Sequence, residues 1–124
     1  EKIRAEVTDQ NTTFFIIYFE QKAVGYAKLR EGSKVDGIEN ESSIELQRIY
    51  TIEHVYGTGI GENLLKHCLE TARQRGFKTL WLGVWEENKR AQRFYAKHGL
   101  TRVGQISFPY GETVGTNFVL EKVL

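Results

Sequence analysis

Three alternating glycines stand where a predicted strand meets a predicted helix, and this junction constrains the fold more than any other feature of the chain. Gly57, Gly59 and Gly61 belong to residues 56–61, which read YGTGIG. Glycine lets a backbone turn tightly and approach a ligand without interference from a Cβ atom. The free N–H groups at the start of the following helix point into such a loop and, together with the helix dipole, favour an anion. The junction therefore predicts either a pyrophosphate site or a glycine-rich turn that binds nothing.

Other glycine-rich phosphate-binding loops do not fit these residues. A Walker A loop ends in Lys-Ser or Lys-Thr, but Glu62 and Asn63 occupy those positions. The dinucleotide-binding fingerprint has the spacing Gly-x-Gly-x-x-Gly, whereas the spacing here is Gly-x-Gly-x-Gly. A protein-kinase glycine loop lies between two strands, and this loop opens a helix. If the loop binds a ligand, we therefore expect a phosphate-bearing molecule that is recognised by a different motif from these three.

The size and charge of the chain limit the classes of function. A length of 124 residues supports one hydrophobic core, so residues 1–124 are expected to form a single domain. Seventeen Lys and Arg residues against sixteen Asp and Glu residues give a formal net charge of +1. This balance disfavours broad attraction to nucleic acid or to an anionic membrane. No run of 18 apolar residues is present, so no transmembrane helix is expected.

The cysteine and histidine residues indicate neither a disulfide nor a metal site. Cys68 is the only cysteine, which favours a reducing compartment such as the cytoplasm. Its place on the apolar stripe of the predicted helix favours a buried structural thiol over a nucleophile. His54, His67 and His98 lie far apart in the sequence without partners at metal-binding spacing, so no metal is predicted.

Hydrophobic periodicity predicts an alternation of strands and helices along the whole chain. The predicted elements are strands 14–19, 23–29 and 44–52, a helix 60–75, a strand 78–85, a helix 88–98, and strands 100–108 and 113–123. Turns are expected at 20–22 and 109–112, and a loop at 31–42. Gly76 and Gly99 are placed to end the two helices, and Asn88 to cap the second. This order predicts an α/β (α+β) fold with helices packed on a mixed sheet.

These elements and motifs together resemble the GCN5-related N-acetyltransferase (GNAT) superfamily over residues 14–124. The resemblance is carried by the loop 56–61 between its strand and helix, the next strand, the pattern Asn88-x-x-Ala91-x-x-x-Tyr95, and Gly99-Leu100. Residues 80–88, which read LWLGVWEEN, and Arg48-Ile49-Tyr50 are further similar to the branch of PaiA-type polyamine acetyltransferases. The resemblance implies a mixed central sheet with flanking helices.

Two features depart from the family pattern. Tyr56 stands where the motif usually has Gln or Arg. Since the motif acts mainly through backbone N–H groups, the site is expected to survive this change. The family also begins with a strand and two helices before the hairpin of residues 14–29. Residues 1–13 are too few for all three, so the chain is expected to lack this strand and these helices, which usually wall the acceptor side.

The resemblance implies an acetyl-CoA-dependent enzyme that acetylates a primary amine. The cosubstrate would lie between splayed strands at residues 48–52 and 78–85. Backbone at Ile49, Tyr50 and Thr51 would pair with the pantetheine amides and polarise the thioester carbonyl. The pyrophosphate would be held by main-chain donors of Gly57, Thr58, Gly59, Ile60, Gly61 and Glu62.

Two residues of the second helix have both a functional and a structural interpretation. Tyr95 is implied as the general acid that protonates the departing CoA thiolate, but it is also typical of a tyrosine bridging core and solvent. Asn88 would reach the pantetheine arm, and it is also a good helix N-cap. The two roles of Asn88 are compatible.

A general base must remove a proton from the amine, because an ammonium has no lone pair. Glu45 is the preferred candidate, since it lies on the strand that leads to the glycine loop. Glu41, Glu86 and Glu87 are alternatives, and a water chain is another. Each of these carboxylates also fits a solvated surface charge.

The acceptor amine and the oligomeric state are the least constrained features. Aromatic residues at Trp81, Trp85 and the turn 108–110 stand near the acidic Glu86, Glu87 and Glu112. This rim predicts a small cationic acceptor, such as spermidine or spermine, or alternatively a homodimer interface. A function from another class also remains open, namely a non-catalytic regulatory module that binds acetyl-CoA or CoA.

Overall fold

The computed structural model describes residues 2–38 and 42–124, which form seven strands, two α-helices and a short 3₁₀ helix. In chain order these are β1 (Lys2–Asp9), β2 (Thr12–Phe19), β3 (Lys22–Glu31), β4 (Ser43–Thr51), the 3₁₀ helix (Glu53–Val55), α1 (Ile60–Gln74), β5 (Thr79–Trp85), α2 (Lys89–Lys97), β6 (Thr101–Tyr110) and β7 (Thr113–Val123). The seven strands form one sheet in the order β1-β2-β3-β4-β5-β7-β6. The predicted mixed sheet with helices is therefore confirmed.

The two central strands of the sheet are joined over a short length. β4 and β5 are parallel, whereas the other neighbouring strands are antiparallel. Their pairing covers residues 43–45 of β4 and 79–81 of β5. Beyond Glu45 the two strands no longer pair, so this edge of β4 is free along its second half. The predicted splay between these strands is present.

A β-bulge at Gln47 bends β4 just after this short pairing. On β3, Lys28 pairs with Arg48 and Leu29 pairs with Leu46, which leaves Gln47 without a partner in the register. An extra residue kinks the strand and shifts the alternation of its side chains. The alternation of side chains between the two faces of the sheet therefore holds on each side of the bulge but not across it.

The hydrophobic core lies between α1 and one face of the sheet. Leu64, Leu65, Cys68 and Ala72 of α1 are fully buried in this core. The prediction of a buried Cys68 is confirmed, and burial raises the pKa of its thiol to about 12. The thiol therefore stays protonated at neutral pH, which removes the thiolate that a nucleophile needs.

Three of the four helix ends lie beside the residue predicted to cap them, namely Gly76, Asn88 and Gly99. α1 begins at residue 60 after Gly59, whose φ of 89° is left-handed, and Gly76 with a φ of 88° follows its end. The side chain of Asn88 accepts a hydrogen bond of 3.1 Å from the N–H of Ala91 at the start of α2. Gly99, with a φ of 87°, follows the end of α2. These ends are predictable because each cap depends on neighbouring residues alone.

The expectation that no strand precedes the hairpin of β2 and β3 is wrong. β1 pairs antiparallel with β2 and places Ile3 opposite Ile17 and Ala5 opposite Phe15. A strand by itself needs only these eight residues, and the alternation of Ile3, Ala5 and Val7 with polar residues is a strand signal. No helix occurs within residues 2–38.

Two turns are narrower than predicted. Glu20 and Gln21 form a two-residue turn with φ values of 52° and 68°, the positive values that a type I′ turn requires, and Lys22 already belongs to β3. Pro109 and Tyr110 lie in β6 and not in the following turn. β6 is an edge strand, where a proline is tolerated. Residues 39–41 of the predicted loop 31–42 lie outside the described residues.

Candidate active site

A cavity of about 450 Å³ opens between the free edge of β4, the start of α1 and the inner side of α2. Its volume is within the range of small-molecule sites. It is lined by Ile49, Tyr50, Thr51, Val55, Tyr56, Gly57, Gly59, Gly61, Glu62, Asn88, Arg90, Ala91, Phe94, Tyr95 and Lys97. Nine of the predicted site residues are thus brought together around one space.

Two glycines of the loop are required by their backbone conformation. Gly57 has a φ of 79° and Gly59 a φ of 89°, values that side chains bearing a Cβ rarely adopt. A Cβ atom added at either residue would meet no heavy atom within 4 Å. The backbone of the loop therefore faces open space in the cavity, where a ligand can approach it closely.

The first amides of α1 are available to such a ligand. The first hydrogen bond of the helix runs from the N–H of Asn63 to the carbonyl of Gly59 at 3.0 Å. The N–H groups of Gly61 and Glu62 precede it and have no acceptor among the described residues. With the positive end of the helix dipole behind them, these donors favour an anion.

Thr58 and Ile60 support the loop from outside the cavity. The Thr58 hydroxyl donates a hydrogen bond of 2.5 Å to the carbonyl of Val55, and Ile60 is buried in the core. The amide of Ile60 points to the Thr58 hydroxyl oxygen at 3.5 Å. Both residues are predicted to bind the pyrophosphate through their main-chain N–H groups, and neither is among the residues that line the cavity.

Tyr95 lies where the core meets the cavity. Its side chain is buried to 9% exposure, and it also lines the cavity. Burial, with a smaller contribution from Cys68, raises the pKa of its phenol to about 12. The phenol is therefore protonated at neutral pH, which is the state that a proton donor needs.

The carboxylate preferred as general base does not reach this cavity. One Glu45 oxygen accepts hydrogen bonds from Nε and Nη2 of Arg30, at 3.0 and 2.8 Å, and the side chain is 12% exposed. Glu45 is in register with Arg30 on one side and Trp81 on the other. An oxygen held in this way, outside the cavity, is poorly placed to take a proton beside Tyr95.

The other acidic candidates are also not assembled with Tyr95. Glu86 and Glu87 follow β5 and do not line the cavity, and Glu41 lies outside the described residues. Glu62 does line it, but its carboxylate is 3.1 Å from Lys66 Nζ. The hydrogen bond and charge of Lys66 lower the pKa of Glu62, which makes it a weaker base.

The structure adds lining residues that the sequence prediction missed. Tyr56, Arg90, Phe94 and Lys97 face the same space as the predicted site. The three α2 residues among them lie three or four positions apart, so they form one stripe of the helix beside the stripe of Ala91 and Tyr95. Their spacing from one another predicts a common stripe, but no helical spacing from Tyr95 identifies it in the sequence.

The predicted aromatic rim is only partly present. Trp85 and Tyr110 are exposed and their ring centroids lie 6.1 Å apart. Trp81 is buried at 4% exposure and so does not belong to a surface rim. The Trp85 and Tyr110 pair lies outside the lining of the cavity.

Comparisons with known proteins show which family this chain resembles in sequence and in fold. The profile of the acetyltransferase (GNAT) family matches residues 1–100. An uncharacterized N-acetyltransferase from Lactobacillus delbrueckii subsp. lactis is 34% identical over 128 residues, covering 100% of this chain and 72% of the relative. A spermine/spermidine N(1)-acetyltransferase from Bacillus subtilis (strain 168) is 27% identical over 93 residues, covering 74% of this chain and 61% of that protein. A solved GNAT family acetyltransferase from Elizabethkingia anophelis, with acetyl-CoA bound, has a TM-score of 0.79 at 13% identity and covers 99% of this chain and 97% of its own.

Two further observations concern the described residues only. No helix in residues 2–38 and 42–124 is long and apolar enough to cross a membrane. In the same residues no three His, Cys, Asp or Glu side chains are grouped to hold a metal ion.

Proposed function

Because the chain belongs to the acetyltransferase (GNAT) family, we propose that it transfers the acetyl group of acetyl-CoA to a primary amine. One observation carries this proposal. A single cavity contains free amides at the start of α1, the free edge of β4 and the phenol of Tyr95. The amides suit the pyrophosphate of the cosubstrate, the edge of β4 suits its pantetheine arm, and the phenol suits its thioester.

The pyrophosphate binds at the glycine loop in this proposal. The amides of Gly61 and Glu62 donate to its oxygens, and the left-handed turn at Gly59 lets the phosphate approach the backbone. Main-chain donors and a helix dipole bind such an anion without a basic side chain. The proposed contact is thus compatible with a tyrosine at residue 56.

The pantetheine arm pairs with the free edge of β4. On its other edge, this part of β4 pairs with β3, with Ile49 opposite Ala27 and Thr51 opposite Gly25. Successive backbone groups of a strand point to opposite edges, so some groups between residues 49 and 51 face the cavity. They can accept an extended ligand as an additional strand and polarise its thioester carbonyl.

The reaction is nucleophilic substitution at the thioester carbonyl. The lone pair of the neutral amine attacks the carbonyl carbon, the new C–N bond forms, and the C–S bond then breaks. The departing sulfur keeps the electron pair and takes the proton of the Tyr95 phenol, which is replaced from solvent. Burial suits Tyr95 to this role because it keeps the phenol protonated.

In this proposal the ammonium loses one proton to water before the attack, and the positively charged nitrogen of the adduct loses a second proton to water after the C–N bond forms. Glu45 is held by Arg30 and Glu62 by Lys66, so neither carboxylate is free to receive these protons. The cavity is open to solvent at exposed residues such as Tyr50 and Tyr56, which gives water a path to the amine. The role of Glu45 as general base is therefore not part of the proposal.

We further propose a small polycationic amine as acceptor and a homodimer as the working assembly. The Bacillus subtilis relative named for spermine and spermidine supports this acceptor class. The exposed pair of Trp85 and Tyr110, with acidic Glu86 and Glu87 after β5, offers charge and cation–π attraction. Exposed Val114 on the same hairpin as Tyr110 supports a second copy at this edge of the sheet.

A CoA-release assay tests the proposed reaction. The purified chain is incubated with acetyl-CoA and a panel of amines, and both free CoA and the acetylated amine are identified by mass spectrometry. Equimolar formation of the two products supports acetyl transfer. Tight binding of CoA without release, for every amine tested, would instead indicate a CoA-binding regulatory module.

A further inference from the structure

At the position where the sequence departs from the family motif, the structure contains a stacked pair of residues. The guanidinium carbon of Arg90 lies 3.5 Å from the ring centroid of Tyr56. Tyr56 belongs to the glycine loop and Arg90 to the first turn of α2, and both line the same cavity. A cation over an aromatic face is attracted by the ring quadrupole, so the ring restrains a side chain that would otherwise be free.

We propose that Arg90, held by the ring of Tyr56, binds the pyrophosphate of acetyl-CoA as the side-chain cation of the glycine loop. This inference rests on the proposed function, because it adds a residue to the same site. Arg90 is a binding residue here and has no part in the chemical step.

The first turn of α2 is anchored to the end of β5, so the direction of Arg90 is set by the fold. The Gln92 amide donates to the carbonyls of Trp85 and Glu86, at 3.2 and 2.8 Å. Asn88 caps the same turn. These contacts and the Tyr56 ring hold the Arg90 side chain from both ends, which lowers the entropy lost when it binds an anion.

The charges around the cavity favour an anion at this place. Its charged lining residues are Glu62, Arg90 and Lys97, and Glu62 is partly neutralised by Lys66. A guanidinium donates two parallel N–H groups to phosphate oxygens, a geometry that the ammonium of a lysine lacks. Stacking on Tyr56 leaves the edge of the guanidinium, which carries these donors, free for the ligand.

Calorimetric titration with CoA and with 3′-dephospho-CoA tests the assignment. Arg90→Ala is expected to weaken both ligands by the same factor of about tenfold, since both retain the pyrophosphate. Arg90→Lys should recover part of this loss. Tyr56→Leu should weaken the binding of CoA severalfold. Tyr56→Phe should bind CoA nearly as well as the wild type, because its ring still stacks on Arg90. Arg93→Ala removes an exposed arginine of the same helix outside the cavity lining, and should bind CoA as the wild type does.

A third ligand separates charge recognition from damage to α2. S-acetylpantetheine lacks the pyrophosphate, so its kcat/KM should fall much less in Arg90→Ala than that of acetyl-CoA. An equal fall for both donors would show a structural role and overturn the proposal. Equal CoA affinity in Arg90→Ala and Arg93→Ala would also overturn it. A loss of affinity in Arg90→Ala that is seen with CoA and absent with 3′-dephospho-CoA would overturn it too, because it would assign Arg90 to the 3′-phosphate. A wild type that binds no CoA would overturn the proposed function itself.

Discussion

The strongest test of the pyrophosphate site replaces Gly59 by valine. The φ of 89° at Gly59 is left-handed, and such a conformation costs about 1–2 kcal/mol or more once a Cβ is present. A free energy of unfolding of about 5–15 kcal/mol is ordinary for native proteins, so the variant should still fold. Gly59 lines the cavity and a Cβ there meets no heavy atom within 4 Å, so the new side chain fits without a clash but occupies space beside the backbone that the phosphate must approach.

The expected loss can be expressed as a change in melting temperature. A ligand at 100 times its Kd stabilises the native state by about 2.7 kcal/mol. For a domain of this size this corresponds to about 8–16 °C. Scanning calorimetry with CoA should show such an increase for the wild type and little or none for Gly59→Val.

The control variant for this experiment is Gly76→Val. Gly76 has a φ of 88°, and a Cβ there also meets nothing within 4 Å, but it lies beyond the far end of α1 and outside the cavity lining. Without ligand, both variants should be destabilised by a similar amount. Only Gly59→Val should lose the increase in melting temperature that CoA produces. An undiminished increase in Gly59→Val would refute the assignment of the pyrophosphate to this loop.

Four further outcomes follow from the site and the core. Tyr95→Phe should lower kcat by about 10²–10⁴-fold with little change in CoA affinity, and an unchanged kcat where chemistry limits the rate would favour a packing role. The Cys68 thiol should not react with a disulfide reagent until the protein unfolds, as followed by absorbance. Burial lowers the pKa of His98, and nearby lysines add to this effect while Glu62 opposes it. The unfolded chain therefore binds a proton at this residue more readily than the native state does. The stability that comes from the neutral imidazole is full above about pH 6.5 and falls as the pH decreases. His98→Asn should therefore lessen the fall in Tm between pH 7.5 and 5.5. For the proposed acceptor, kcat/KM with spermidine should decrease as salt is raised while that with an uncharged amine stays constant, and equal, salt-insensitive values would remove the support for a polyamine.

Local signals in the sequence account for much of the fold. Gly76 and Asn88 act on the backbone of their own helix, and the left-handed glycines at 57 and 59 act on their own loop, so neighbouring residues suffice to predict them. β1 shows the limit of this approach. Its alternation is visible, but its pairing with β2 is a tertiary contact, and only the register with Ile17 and Phe15 makes Ile3 and Ala5 part of a sheet.

The details that decide the chemistry depend on contacts between distant segments. The bulge at Gln47 exists because β3 pairs with Arg48 and Leu46 on either side of it, and no local pattern marks the extra residue. Glu45 is a plausible base by its sequence position, but Arg30, fifteen residues away, holds its carboxylate outside the cavity. Arg90 likewise reaches the ring of Tyr56 only when α2 folds against the glycine loop. A motif read along the chain therefore identifies the backbone part of this site more reliably than its side chains, because the fold determines which side chains meet.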